Sequence, residues 1–335
     1  LQNGADVVIE MPTAVSCQST DRFAKGAVEI LQKVGCHYLA FGCEGGDEAF
    51  FEAAVSQRQA IEKEISRFVE ENRSLTFASQ LTQLAIKKFG EESALVEALQ
   101  SPNQQLGLAY ALENAKGEHP MQIVPITRVG SGHLDDALEE TAFASGTALR
   151  KALKDNRDDQ VLRAQLSYVR LDEEEYQNDW SSYWPLLKSI ILRSTDEEMR
   201  AIYQMEEGIE NRLKEVIRTT SSIEECLKQL KNKRWSWARL QRLLVYVLLG
   251  ITKDEIEGYW SRPIEQGTVL GFTSKGQEWL KRMREVESFQ LITNYAAYKD
   301  ERQESWDLLY DYWNPSKQIS ATVFKPIQVN KEESF

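Results

Sequence analysis

Ser145-Gly146-Thr147-Ala148-Leu149-Arg150 has residue types and an order that suit phosphate chemistry. Ala144, Ser145 and Gly146 are small enough for a ligand to approach the backbone, and Ser145 and Thr147 supply hydroxyls. The pattern predicts a helix that begins at Thr147 and runs through Arg150 and Leu153. A helix start presents unpaired N–H groups and the positive end of the helix dipole, so it attracts an anion. Arg150, one turn inside, adds a planar fork of donors on the same side. The same residues also fit a plain capped surface helix, because Ser and Thr are the usual N-cap types.

Three more positions carry possible ligand chemistry. Gly42 ends an apolar run in a glycine-rich turn, Gly42-Cys43-Glu44-Gly45-Gly46-Asp47, where a base or ribose could lie against bare backbone. A plain turn into a helix is the alternative there. Asn103, in the Pro-bearing turn Ser101-Pro102-Asn103, is either an ordinary cap or an amide that reads a purine edge. Arg128 follows an apolar run and precedes a glycine loop, as a ligand-facing cation or as half of a surface salt bridge.

Between Lys228 and Arg242 stand Lys228, Lys231, Lys233, Arg234, Arg239 and Arg242 with no acid among them, and Trp235 and Trp237 are interleaved. Basic side chains track an RNA backbone and aromatic rings stack on unpaired bases. Tryptophans at helical spacing in a helical segment are more often core. The missing acid, in a chain of formal charge −12, points Lys233, Arg234, Arg239 and Arg242 towards RNA. That net charge argues against indiscriminate coating of nucleic acid, which needs a general excess of Lys and Arg. His37, His119 and His133 have no Cys or Glu at metal spacing, so no metal site is read. No Ser/His/Asp nucleophile arrangement stands out. Cys17, Cys36, Cys43 and Cys226 are expected to be reduced thiols of a cytoplasmic protein.

The elements that position these residues follow from local pattern. Ala5 to Pro12 predicts a short buried strand, and Ser19, Thr20 or Asp21 caps a helix with Phe23, Ala27, Ile30, Leu31 and Val34 on its apolar face. Tyr38 to Phe41 predicts a second strand, so the three elements compose a βαβ unit with its crevice at the strands' carboxyl ends. The pattern from Asp47 to Gly117 is helical, and Met121 to Ile126 predicts a third strand that Pro125 marks as an edge or an end. Beyond a polar connector, Lys154 to Gln160, helical stretches continue to about Trp313, and Ile319 to Val329 predicts a short extended tail. Leu171-Asp172-Glu173-Glu174-Glu175 is an acidic face that repels phosphate. The longest apolar run, Leu243 to Ile251, is too short for a membrane span.

Ala5 to Pro12, Phe41 to Asp47, Ser101 to Tyr110, Thr127-Arg128 and Ser145 to Arg150 occur in the order and rough spacing of a known family. Met205 to Leu213, Lys231 to Leu243 and Val269 to Phe272 extend the likeness into the second half. The chain resembles the bacterial tRNA(Met) cytidine acetate ligases, a branch of the HIGH-type nucleotidyltransferases, whose second signature is similar to Ser145 to Arg150. The resemblance implies a Rossmann-like α/β nucleotidyltransferase domain over residues 1–153 and a mostly α-helical tRNA-binding domain over 154–335. It implies activation of acetate by ATP, with Mg2+, to acetyl-adenylate, and acetylation of N4 of the wobble cytidine of elongator tRNA(Met). Gly42, Asn103, Arg128, Ser145, Thr147 and Arg150 would hold ATP, with no membrane and no protein partner implied.

One family feature is not among these residues. The first strand and loop of the family carry an Asn-Pro-Phe-His-x-Gly-His-like motif, and Leu1 matches a later point. The expectation is an N-terminally truncated chain of impaired activity whose catalytic residues stay unassigned. Two other functions remain open on the residues alone. One is a nucleotidyltransferase acting on a small phosphorylated acceptor, and the other a non-catalytic tRNA-binding protein.

Overall fold

The computed structural model describes residues 1, 3–71, 77–128, 146–154, 162, 164, 180–286, 288–294, 298, 300–312 and 326–329. The chain opens with β1 (Val7–Ile9), α1 (Thr13–Ser16), α2 (Thr20–Lys33) and β2 (Tyr38–Cys43). In β2 the side chains alternate, with Leu39, Phe41 and Cys43 buried. The helices α3 (Glu48–Ala60), α4 (Glu62–Glu71), α5 (Phe77–Phe89), α6 (Ala94–Ala98) and α7 (Pro102–Asn114) lead to β3 (Gln122–Thr127). Asp47 caps α3 by accepting from Phe50 N at 2.9 Å, and Ser101 caps α7, whose first residue is Pro102. Strand β3 lies parallel to β2, from Tyr38 opposite Gln122 to Cys43 opposite Thr127, so α3 to α7 form the crossover between them. Among the described residues its neighbour is β2, and Pro125 stands two residues before its end.

Packing then fixes where α7 sits. Phe41 and Phe51 meet edge to face with centroids 5.0 Å apart. A Cβ at Gly107 would stand 2.7 Å from the Phe41 ring and 2.9 Å from Phe51, so the absence of a side chain lets α7 rest directly on both. At its far end the Asn114 amide donates to Met121 O at 2.7 Å and accepts from Met121 N at 2.9 Å, tying the helix to the entry of β3.

After α8 (Gly146–Lys154), a helical body is built from α9 (Trp180–Arg193), α10 (Asp196–Ala201), α11 (Ile209–Thr219), α12 (Ile223–Leu230), α13 (Trp237–Leu249) and α14 (Lys253–Trp260). Leu187, Ile191, Leu213, Ile217, Leu240 and Leu244 are each fully buried in its core. The turn between α10 and α11 holds two non-glycine residues in the left-handed region, Gln204 at φ 59° and Glu207 at φ 58°. Only the next residue, Gly208 at φ 74°, adopts that conformation without a Cβ clash. The chain continues through β4 (Gln266–Thr273), α15 (Ser274–Met283), β5 (Gln290–Ile292), α16 (Glu301–Tyr312) and β6 (Ile327–Val329).

The second sheet corrects the expected βαβ unit. Strand β1 does not join β2; it pairs antiparallel with β4, Val7 opposite Phe272, while β5 and β6 lie parallel to β4. The apolar run does form a strand, but its three residues are only half-buried. Hydropathy gives a strand's existence, not its neighbour, and here the neighbour is the long alternating strand β4. The hydroxyl of Thr273 donates to Asp6 Oδ1 at 2.6 Å, and Thr273 N donates to Asp6 O at 2.9 Å. Val15, Ile30 and Val34 share a small core with Ile264, Met283 and Phe289, so the first elements pack on the last. The buried Tyr246 hydroxyl donates to Cys17 O at 2.6 Å, which pins α13 to the same region, and burial pushes this phenol well above its ordinary range. The expected tail is present as β6, and residues 319–325 lie outside the described ones. The acidic run 171–175 and most of the connector, 155–160, lie outside them too. Among the described residues no helix is long and apolar enough to cross a membrane.

Candidate nucleotide site and RNA-facing patch

Gly42 and Arg128 meet because β2 and β3 run in parallel register to their carboxyl ends. Arg128 N donates to Cys43 O at 2.9 Å, and the Arg128 Cγ lies 3.9 Å from where a Cβ at Gly42 would stand. Asn103, in the first turn of α7, joins them through Glu44. Its Nδ2 donates to Glu44 Oε1 at 2.7 Å, and the Ser101 hydroxyl donates to Glu44 Oε2. Gln104 Nε2 donates to Gly45 O at 3.0 Å, so the glycine-rich turn and the start of α7 form one unit.

Glu44 is the organising residue that sequence reasoning passed over, although it stood inside the glycine-rich turn already singled out. Partial burial works against its ionisation, but donors from Ser101, Asn103 and its own backbone, with the nearby Arg128 charge, hold the carboxyl below the usual range. One N–H of the Asn103 amide is used on Glu44, which leaves its second N–H and its Oδ1 as further hydrogen-bonding groups. A depressed carboxyl stabilises the fold above its unfolded-state pKa, and that stabilisation is lost as pH falls through the lower folded-state value. Glu44→Gln should therefore flatten the acid limb of the melting-temperature profile between about pH 5 and about pH 3. Thermal melts across that range check it, and a variant profile parallel to that of the parent would remove Glu44 from this role.

Helix α8 begins at Gly146, one residue before the predicted start. Ser145 lies outside the described residues, as does the glycine loop that follows Arg128, and nothing is described of the Thr147 side chain. Arg150 is exposed and its guanidinium folds back on the helix start, with Nη1 3.3 Å from the Cβ position of Gly146. A cation at the positive end of a helix is unfavourable by itself. An anion bound there satisfies both the N–H groups and the guanidinium.

In the helical body Lys233 and Arg234 are exposed, while Arg239 and Arg242 are half-buried. Trp235 is 3% exposed and belongs to the core, so its ring is not available to an RNA base. One face of that ring carries the Arg239 guanidinium, whose Cζ is 3.9 Å from the ring centroid. Trp237 is half-buried against the same core. The stretch is free of acid in sequence but not in space. Glu207 lies 3.8 Å from Arg234 Nη1 and Glu206 lies 3.5 Å from Arg239 Nη2, both from the left-handed turn before α11.

A cleft of about 1320 Å³ separates this patch from the nucleotide-side helices. Arg234, Arg239 and Arg242 line one wall, and Leu108 and Leu112 of α7, with Lys116 just past its end, line the other. The Arg242 Nε is buried at this wall without a hydrogen-bond partner among the described residues. Helix α7 thus carries Asn103 at its amino end and faces the basic wall along its length.

The carboxyl ends of the parallel strands β2 and β3 bring Gly42 and Arg128 together, with Asn103 of α7 beside them, at the place where open α/β folds bind ligands. The family model described as HIGH Nucleotidyl Transferase matches residues 1–332, and the chain belongs to that family. Among its relatives, the tRNA(Met) cytidine acetate ligase of Latilactobacillus sakei is 33% identical over 308 residues, 89% of this chain and 74% of that protein. The proteins of the same name from Lactobacillus gasseri and Halalkalibacterium halodurans are 31% and 33% identical, over 88% and 92% of this chain and 74% and 76% of theirs. The crystal structure of Thermotoga maritima TmcAL (apo, form I) shares the fold at TM-score 0.84 and 23% identity, over 98% of this chain and 86% of that one. The same protein bound with alpha-thio ATP matches at TM-score 0.79 and 24% identity, over 98% and 85%.

Proposed function

We propose that this chain acts as a tRNA(Met) cytidine acetate ligase in the cytoplasm. What carries the reading is one arrangement: Gly42, Asn103 and Arg128 are gathered round Glu44 at the amino end of α7, and later turns of the same helix line a cleft whose opposite wall is basic. Kinship of 31–33% to proteins of that name supports it. Residues 1–153 would hold ATP and residues 154–335 would contact tRNA, although β1 is bonded into the second sheet.

ATP enters as its Mg2+ complex, with its base or ribose against Gly42 and Asn103 and its phosphates towards Arg128 and the start of α8. An acetate oxygen attacks the α-phosphorus, the bond to the β-phosphate oxygen breaks, and pyrophosphate leaves. Negative charge grows on that leaving group, so the α8 N–H groups, Ser145, Thr147 and Arg150 favour the step by fixed electrostatics. The cytidine N4 then attacks the acyl carbon, AMP leaves, and N4 loses a proton. Acetate is itself the nucleophile, so the first step requires no side-chain nucleophile. Lys233, Arg234, Arg239 and Arg242 would hold the RNA backbone.

The test is incubation with ATP, labelled acetate and elongator tRNA(Met), for the chain alone and with an upstream segment carrying the HxGH-like motif supplied. Expected is N4-acetylcytidine at the wobble position, dependent on ATP and acetate. Nucleotide turnover that needs no acetate, or no acetylated cytidine once the motif is supplied, would overturn the reading. For the RNA wall, Arg234→Ala with Arg239→Ala should weaken tRNA binding about tenfold and make the salt dependence shallower by roughly two contacts. Equal affinity and slope in a filter-binding series would take both residues off the RNA surface.

A further inference from the structure

Two observations converge on the turn before α11. Gln204 and Glu207 hold the left-handed conformation without being glycine, so the turn is kept in a backbone state that its own residues disfavour. Its two adjacent carboxylates point at two residues of the RNA-facing wall, Glu206 at Arg239 and Glu207 at Arg234. Both pairs are long, at 3.5 and 3.8 Å, and Glu206 and Glu207 are 56% and 42% exposed. Contacts of that kind are weak and easily exchanged. Arg239 does not need Glu206 to be positioned, because it is already stacked on Trp235 and donates to Arg234 O at 3.3 Å.

Cavity geometry adds a third. Glu207 and Arg234 both line the large cleft, and both also line a smaller pocket of about 200 Å³ with Gly208, Arg212, Asn232 and Trp235. The Glu207–Arg234 pair therefore borders both spaces.

We propose that Glu206 and Glu207 are specificity-determining residues for the RNA substrate, occupying Arg239 and Arg234 as phosphate mimics until a polyanion displaces them. The inference rests on the RNA-facing reading of that wall. A cognate tRNA, engaged at other positions as well, displaces both carboxylates. A polyanion held by charge alone gains less from the arginines, because each new contact replaces an existing one and the displaced carboxylate stays nearby to repel phosphate. The sequence likeness had marked Met205 to Leu213 without giving it a task; here the segment acts as a filter on the basic wall.

The experiment compares the parent chain, Glu206→Gln/Glu207→Gln and Arg234→Ala/Arg239→Ala for binding of elongator tRNA(Met) and of a non-cognate tRNA over a salt series. Expected for the glutamine pair is binding about fivefold tighter to both RNAs at low salt, with the larger gain on the non-cognate one and a steeper salt slope. Glu207→Gly removes one of the two charges where glycine is at ease, so a smaller gain in the same direction from it shows that charge, not a disturbed turn, is responsible. Unchanged or weaker binding in the carboxylate variants, while the arginine variant still loses affinity, would overturn the filter and leave the RNA wall standing. If the arginine variant binds as the parent does, the wall reading fails and the filter fails with it.

Discussion

Arg150→Ala is expected to weaken ATP binding by about 30- to 100-fold, equivalent to about 2–3 kcal/mol for a charge-assisted contact to phosphate. The guanidinium already lies over the helix start, 3.3 Å from the Gly146 Cβ position, so no rearrangement is needed to present it. The free protein should respond in the opposite sense. With no anion bound, the cation opposes the α8 dipole, and its removal should leave the melting temperature level or slightly higher. Arg150→Lys should fall between, since a point charge keeps the attraction and loses the fork. Calorimetric titration with ATP and melts with and without nucleotide read both effects. A lower melting temperature in the free protein together with unchanged ATP affinity would make Arg150 a structural residue.

Gly276→Ala is expected to cost about 3 kcal/mol of stability, at the upper end of ordinary overpacking. Its Cβ would stand 2.0 Å from Asp6 O, a backbone atom that no rotamer can move. That carbonyl already accepts from Thr273 N, and Thr273 also caps α15 by accepting from Gly276 N at 3.2 Å. Relief therefore requires β1 to retreat from β4. Gly258→Ala is the matched control, because nothing lies within 4 Å of its Cβ position and α14 gains a better helix former. Denaturant titrations should separate the two by the full cost; equal midpoints would mean that β1 contributes little to holding the molecule together.

Features set by near neighbours in sequence were legible. Tyr38 to Phe41 reads as a strand because aromatic and aliphatic residues run there without a break before a glycine-rich turn, and the structure extends it only to Cys43. Ser101-Pro102 reads as a helix entry, and Ser101 does cap α7. Partners brought from afar were not legible. The neighbour of β1 is β4, and the apolar run Val7-Val8-Ile9 carries no record of it. Glu44 is one polar residue of a glycine-rich turn in the sequence, and only the fold brings Ser101 and Asn103 onto it. The acid-free stretch 228–242 gave the sign of the patch correctly only along the chain, since Glu206 and Glu207 reach it across a turn. Trp235 took the commoner of its two fates, because a large ring on a helical body is more often filling than platform.

Pairing of β1 with β4 also constrains how the protein is made. Asp6 and Thr273 are 267 positions apart, so on the ribosome β1 waits until β4 has been synthesised. At typical elongation speeds that wait is on the order of 15 to 50 seconds, during which an unpaired edge is open to other nascent chains. Slower growth temperatures or added chaperones should therefore raise the soluble yield more than stronger promoters do, and residues 1–153 expressed by themselves would leave that edge bare for good.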